Sequence, residues 1–119
     1  MGKISGFRRL EVWQEAHELV LMVYQTAPSY PAGERFGLVS QMRRAAVSIP
    51  AHIAGGFKRR VRDKTRFHNI SEGSWEESKY LLILSQDLGH ISSSASLMAQ
   101  SETAGHLLDR LIASTERRQ

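Results

Sequence analysis

Residues 38–57 read LVSQMRRAAVSIPAHIAGGF, and the spacing of the apolar residues in this stretch decides the fold class. They recur three or four positions apart, which is the spacing of one face of an α-helix. This stripe consists of Leu38, Met42, Ala45, Ala46, Ile49, Ile53 and Phe57. Pro50 lies within it, and a proline inside a helix removes a backbone hydrogen bond and clashes with the preceding turn. We therefore predict a helix over residues 36–59 that is kinked between Val47 and Pro50.

Three further segments have the same helical spacing. The first covers residues 9–28 and ends at Pro28, with a stripe of Leu10, Trp13, Ala16, Val20, Val23, Tyr24 and Ala27. The third covers residues 63–89, from an N-cap at Asp63 to Gly89, with a stripe of Phe67, Ile70, Ser74, Glu77, Leu81, Leu84 and Leu88. The fourth covers residues 92–116, with a stripe of Leu97, Ser101, Ala104, Leu108, Leu111 and Thr115.

These four segments have similar lengths, and no segment alternates apolar and polar residues as a strand would. Matched helices joined by short connections favour an antiparallel arrangement. The sequence therefore predicts an all-α fold, an antiparallel up-and-down four-helix bundle that forms a single domain over residues 1–119.

The composition restricts the classes of function. The chain has 119 residues, a formal net charge of +4 and no cysteine, which excludes disulfides, thiolate nucleophiles and sulfur-bound zinc. No secretory signal is recognisable, and the longest apolar run, Leu19–Tyr24, is too short to cross a bilayer. We expect a cytoplasmic protein that does not engage membranes.

Some apolar residues fall outside the predicted stripes. Trp75 and Leu82 lie away from the core stripe of the third helix, and Leu19 and Met22 away from that of the first. An apolar surplus on two helices predicts an oligomer interface formed by these four residues. The alternative is that a rotated or kinked helix covers them within one subunit.

The densest charge cluster joins the second and third helices, and comprises Lys58, Arg59, Arg60, Arg62, Lys64 and Arg66. Cations at the carboxyl end of the second helix are favourable in themselves, but Lys64 and Arg66 fall where the third helix begins and cations are disfavoured. Phe57 and Phe67, at the ends of the cluster, look like core residues rather than base-stacking platforms. We predict a salt-sensitive RNA- or DNA-binding site of low sequence specificity, with a solvated charged turn as the alternative.

No constellation of residues indicates catalysis or metal binding. The histidines His17, His52, His68, His90 and His106 are dispersed, and the chain lacks the paired Glu-x-x-His motifs of metal-binding bundles. We expect no enzymatic activity, no cofactor and no bound metal.

Several strings resemble one bacterial family. They are Leu10-Glu11-Val12-Trp13-Gln14, residues 40–50 (SQMRRAAVSIP), Gly73-Ser74 with Glu77, and Leu88-Gly89-His90-Ile91. The chain is thus similar to the four-helix bundle proteins encoded in intervening sequences of bacterial 23S ribosomal RNA. The resemblance spans about residues 7–111 and implies a homo-oligomer, namely a ring of five subunits. It also implies kinship with the accessory variability proteins of diversity-generating retroelements, which are basic pentamers that bind nucleic acid.

The chain departs from the family pattern where Asn-Ile-Ala-Glu-Gly is usual, because here residues 52–56 read HIAGG. The roles of that asparagine and glutamate are therefore not carried over to His52 and Gly55. Arg43 and Arg44 lie on a helix whose other face is core, so one of them should meet a carboxylate or phosphate. We predict a structural ion pair with Glu77.

Together these features predict a non-enzymatic, homo-oligomeric basic protein that binds RNA or DNA. The alternative is a protein-interaction scaffold whose basic turn docks an acidic protein partner.

Overall fold

Four α-helices form the protein in a computed structural model, which describes residues 6–92 and 94–118. We number them α1 (Glu11–Thr26), α2 (Leu38–Gly56), α3 (Val61–Asp87) and α4 (Ala95–Glu116). A 3₁₀ turn, Gly6–Arg9, precedes α1, and two more lie between α1 and α2. All four predicted helices are present, with ends displaced by a few residues. Residues 1–5, 93 and 119 of the predicted domain lie outside the described residues.

Consecutive helices are antiparallel neighbours, and α4 returns to pack against α1. Side-chain contacts show that α2 and α3 run in opposite directions. Residues further along α2 contact residues that come earlier in α3. Ser85 lies 3.3 Å from the sulfur of Met42, whereas the Ser71 hydroxyl donates to the Ile49 carbonyl at 2.9 Å. The fold is thus an antiparallel up-and-down four-helix bundle. This topology brings the start of α1, the α2–α3 connection and the end of α4 to one end of the molecule.

The core stripes predicted for α2 and α4 are confirmed. All of their members are buried except Phe57 and Leu111, which are half-buried. The stripe predicted for α3 is wrong in part, because the helix is rotated by about one residue. Ile70, Glu77 and Leu88 are exposed, while Leu81 is buried as expected. The inward face of α3 consists of His68, Ser71, Ser78, Leu81, Leu82 and Ser85.

The predicted oligomer interface is wrong for two of its four residues. Leu19 and Leu82 are only 0% and 1% exposed within a single chain, so they offer no surface to another subunit. Trp75 is half-buried, and its indole Nε1 donates to the Ser101 carbonyl at 2.7 Å. Met22 is also half-buried and packs on the core. All four residues thus pack in or against the core of the single chain, and the rotation of α3 turns Leu82 and Trp75 inward.

The helix ends follow local backbone chemistry. Gly89 adopts φ 75°, and the amides of Gly89 and His90 donate to the carbonyls of Gln86 and Ser85. This is a Schellman motif, which confirms Gly89 as the stop signal of α3. Asp63 is not the N-cap, because α3 begins at Val61 and places Asp63 in its first turn.

Two other expectations concern whole helices. α2 continues from Leu38 to Gly56 with Pro50 inside it, and the kink near this proline stays a prediction. Within the described ranges, no helix is both long and apolar enough to span a bilayer.

Candidate nucleic-acid interface

The α2–α3 connection displays the predicted basic residues at one end of the bundle. Lys58, Arg59, Arg60, Arg62 and Arg66 are exposed, and Lys64 is half-buried. The connection is short because α2 ends at Gly56 and α3 begins at Val61. The six side chains are therefore confined to a small area.

Lys64 has a structural contact. Its ammonium group donates to the Phe57 carbonyl at 2.8 Å and so satisfies a carbonyl just beyond the end of α2. Burial lowers the pKa of Lys64, and the positive charge of Arg118 lowers it further. The ammonium group of Lys64 thus stabilises the α2–α3 connection and is less available to a ligand.

The arginines of the segment differ in how far they are engaged. Arg66 forms an ion pair with Asp63 at 3.2 Å, although its side chain remains 77% exposed. Arg59 lies over the ring of Phe67, with 5.5 Å between the guanidinium carbon and the ring centroid. Across residues 6–92 and 94–118, Arg60 and Arg62 take part in no ion pair or cation–π contact. Of the arginines in this segment, these two are therefore the most available to a ligand.

The structure adds basic residues that sequence reasoning missed. Arg8 and Arg9 lie in the 3₁₀ turn before α1, which packs beside the second half of α2. Arg117 and Arg118 follow α4, and Arg118 is close enough to Lys64 to affect its pKa. All four are exposed. The predicted topology was enough to identify these residues, because an antiparallel four-helix bundle brings both termini to the end that carries its second connection.

Most of the chain's 16 lysines and arginines lie at this end of the bundle, namely Arg8, Arg9, Lys58, Arg59, Arg60, Arg62, Lys64, Arg66, Arg117 and Arg118. The helix termini at this end carry the acidic residues Glu11, Asp63 and Glu116. The end is therefore strongly positive, whereas the whole molecule has a net charge of only +4. We use the name basic end for this set of residues.

The first turn of α3 adds to the positive electrostatic potential of the basic end. Among the described residues no side chain caps it, so its first amide groups point out of the helix end beside Arg60 and Arg62. Free amides and the positive end of the helix dipole favour phosphate oxygens. The carboxylate of Asp63 lies in this turn but is paired with Arg66.

A cleft of about 600 Å³ opens beside the connection, and its lining residues are Gly6, Phe7, Ala54, Gly55, Phe57, Lys58 and Arg59. Phe57, which we expected in the core, is one wall of it. Gly55 packs closely on the Phe67 ring, because a Cβ there would lie 2.9 Å from it. The glutamate usual at this position in the family would therefore require the ring to move.

The predicted ion pair of Arg43 or Arg44 with Glu77 does not form. Ion pairs among the described residues join Arg66 to Asp63, Lys79 to Glu102, and His90 to Glu34. Arg44 and Glu77 line one cleft without pairing. Arg43 instead lies over the ring of Tyr24 at 4.7 Å, because α1 packs on that side of α2.

The histidines are as scattered in space as in sequence. Within the part of the chain that the structure describes, no three His, Asp or Glu residues are grouped so that they could hold a metal ion. His90 instead contacts Glu34 at 2.8 Å, and His52 contacts Ser48 within its own helix.

A family model described as 23S rRNA-intervening sequence protein matches residues 8–110. No curated protein matches the chain. The match covers the helices α1, α2 and α3 and most of α4, and it agrees with the four-helix architecture. The chain therefore belongs to the family of 23S rRNA-intervening sequence proteins.

Proposed function

We propose that this chain is a non-enzymatic, homo-oligomeric protein of the bacterial cytoplasm that binds RNA or DNA through its basic end with low sequence specificity. The observation that carries the proposal is the convergence of arginines from the start of the chain, the α2–α3 connection and the end of α4. Exposed arginines next to uncapped helix amides suit phosphate oxygens. They recognise the backbone of a nucleic acid rather than its bases.

Charge reversal tests the proposal. Arg60→Glu with Arg62→Glu replaces two exposed side chains that make none of the contacts described above. We expect at least a roughly tenfold loss of affinity for labelled RNA in a fluorescence anisotropy assay, because two phosphate contacts become repulsive.

The matched control is Arg44→Glu with Lys79→Glu. Arg44 is exposed and Lys79 partly exposed, both lie on helices away from the basic end, and the net charge changes equally. We expect this control to keep most of the affinity. Equal losses in the two variants would mean that only net charge matters, and the proposed interface would be wrong.

An acidic protein partner is the other outcome that the assay can distinguish. A competitor of polyglutamate and a competitor of unlabelled RNA are added at equal charge concentration. Displacement of the labelled RNA by unlabelled RNA but not by polyglutamate supports nucleic-acid binding, whereas polyglutamate that displaces it as well as unlabelled RNA does would favour the scaffold.

The oligomer in this proposal uses a different surface from the residues first predicted. A groove of about 300 Å³ runs between α1 and α2, and its lining residues are Phe7, Trp13, His17, Val20, Val47, Pro50, Ala51 and Ala54. Trp13 stacks on His17 with ring centroids 4.9 Å apart, which forms an aromatic rim. Val47 is 40% exposed in a single chain. A second copy would bury this apolar surface, and the ring of five subunits is what the family resemblance implies.

Sedimentation velocity at micromolar concentration tests the oligomer. Val47→Glu places a charge in the groove and should dissociate the ring into folded monomers. Leu88→Glu is the control, since Leu88 is 53% exposed at the opposite end of the bundle. A monomeric unmodified protein, or a ring that survives Val47→Glu, would contradict this part of the proposal.

A further inference from the structure

A small cavity lies at the end of the bundle opposite the basic end. Its volume is about 260 Å³, and its lining residues are Ala27, Pro28, Tyr30, Pro31, Ala32, Arg35, Val39 and Arg43. Two of these residues are arginines, and the rest are apolar residues, a tyrosine and the two prolines of the α1–α2 connection. The cavity is separate from every residue of the basic end.

No carboxylate among the described residues neutralises the positive charge of this cavity, although Arg35 lies over the ring of Phe36 and Arg43 over that of Tyr24. Within the described parts of the chain, neither Arg35 nor Arg43 forms an ion pair. The Nε atom of Arg43 is buried and has no hydrogen-bond partner there. Glu34, the acidic neighbour of Arg35, is committed to His90 at 2.8 Å. Two like charges lining one cavity are unfavourable unless an anion compensates them.

The cavity is also held in shape. The guanidinium carbon of Arg43 lies 4.7 Å from the centre of the Tyr24 ring, and this contact restrains the side chain. Pro28 and Pro31 restrict the backbone of the connection, and Tyr30 is buried. Arg43 is on a helix and is partly buried, so little ordering is needed when a ligand binds.

We propose that Arg35 and Arg43 form an oxyanion-binding site that takes a single phosphate or carboxylate group. The guanidinium forks supply charge-assisted hydrogen bonds of the kind that these groups accept in pairs. The cavity has room for one such group and a few attached atoms. This site is independent of nucleic-acid binding at the basic end.

The test is a titration of the ¹⁵N-labelled protein with inorganic phosphate, and separately with acetate, at constant ionic strength. We expect saturable shifts of the Ala32 and Val39 amides and of the Arg43 Nε–H signal. Saturation by phosphate alone assigns a phosphate group, and saturation by acetate alone assigns a carboxylate. Absence of saturable shifts with both ions would overturn the proposal.

Variants locate the site. Arg43→Gln should weaken binding roughly tenfold or more, and Arg35→Gln, at an exposed position that leaves the fold intact, should do likewise. Arg44→Gln, one residue further along α2 but outside the cavity, should bind like the unmodified protein. The Arg60→Glu, Arg62→Glu variant should also retain the shifts. Unchanged binding in Arg35→Gln and Arg43→Gln, or loss only in the Arg60, Arg62 variant, would place the anion at the basic end and refute this site.

Discussion

Trp75 packs against α4 because Gly105 has no side chain. A Cβ at Gly105 would lie 2.4 Å from the indole ring, and Gly105 is buried. Gly105→Ala should therefore lower the free energy of unfolding by about 2 kcal/mol, the cost of overpacking a filled site.

Gly73→Ala is the matched control for Gly105→Ala in urea denaturation. Gly73 lies in α3, is exposed and has open space around its Cα. This change should raise the free energy of unfolding by about 0.5 to 1 kcal/mol, because alanine favours helix. A destabilised Gly73→Ala, or an unaffected Gly105→Ala, would contradict the packing described.

His68 makes the stability of the bundle depend on pH. It is 2% exposed, and burial lowers its pKa to about 4, with smaller contributions from Lys64 and Arg118. Because the unfolded chain binds this proton near pH 6.5, the folded state should lose up to about 3 kcal/mol as the pH falls from 6.5 to 4. Above pH 6.5 His68 should cause no pH dependence.

Denaturation at a series of pH values measures this loss. His68→Leu should abolish the decline between pH 6.5 and 4, whereas His106→Gln, at an exposed histidine of α4, should retain it. Parallel pH curves for His68→Leu and the unmodified protein would contradict the assignment.

At the scale of the helices, Lys64 and Lys58 should behave in opposite ways. Lys64 donates to the Phe57 carbonyl, whereas Lys58 is exposed and makes no ion pair within the described residues. Lys64→Met should cost about 1 kcal/mol of stability, the typical contribution of one such hydrogen bond, and Lys58→Met almost nothing.

For RNA affinity, we expect Lys58→Met to cause the larger loss and Lys64→Met the smaller one, because the Lys58 side chain is free to approach phosphate. Thermal unfolding and RNA anisotropy on the same two variants separate the two roles. If Lys58→Met were the less stable variant, the structural role of Lys64 would be wrong.

The helices also show which parts of the fold could be predicted from sequence. The stripes of α2 and α4 were predictable because large apolar residues such as Ile49 and Leu108 repeat at helical spacing. The stripe of α3 was not, because its inward face holds Ser71, Ser78 and Ser85, which look like surface residues. Their small size permits close approach, and the Ser71 and Ser85 hydroxyls donate to backbone carbonyls.

At the scale of the whole molecule, the candidate site was only partly predictable. The cluster from Lys58 to Arg66 is continuous in sequence and therefore visible. The contributions of Arg8, Arg9, Arg117 and Arg118 depend on the topology of the bundle. The fold was predicted correctly. The sequence analysis, however, considered only basic residues that are neighbours along the chain, and not those that the bundle brings to the same end.

This convergence leads to a prediction about distant residues. Arg117→Glu with Arg118→Glu should weaken RNA binding about as strongly as Arg60→Glu with Arg62→Glu, because in the proposed interface both pairs contact one phosphate backbone. Anisotropy titrations at one salt concentration compare the variants. An unchanged affinity would mean that the end of α4 does not belong to the interface.

The most direct test of the nucleic-acid proposal is the salt dependence of RNA affinity for the unmodified protein and the Arg60→Glu, Arg62→Glu variant. Phosphate contacts predict a linear fall of log affinity with log salt concentration, with a slope of about 0.7 to 0.9 per contact. The variant should show a shallower slope, reduced by roughly one to two. An affinity independent of salt, or identical slopes for the two proteins, would contradict binding through the basic end.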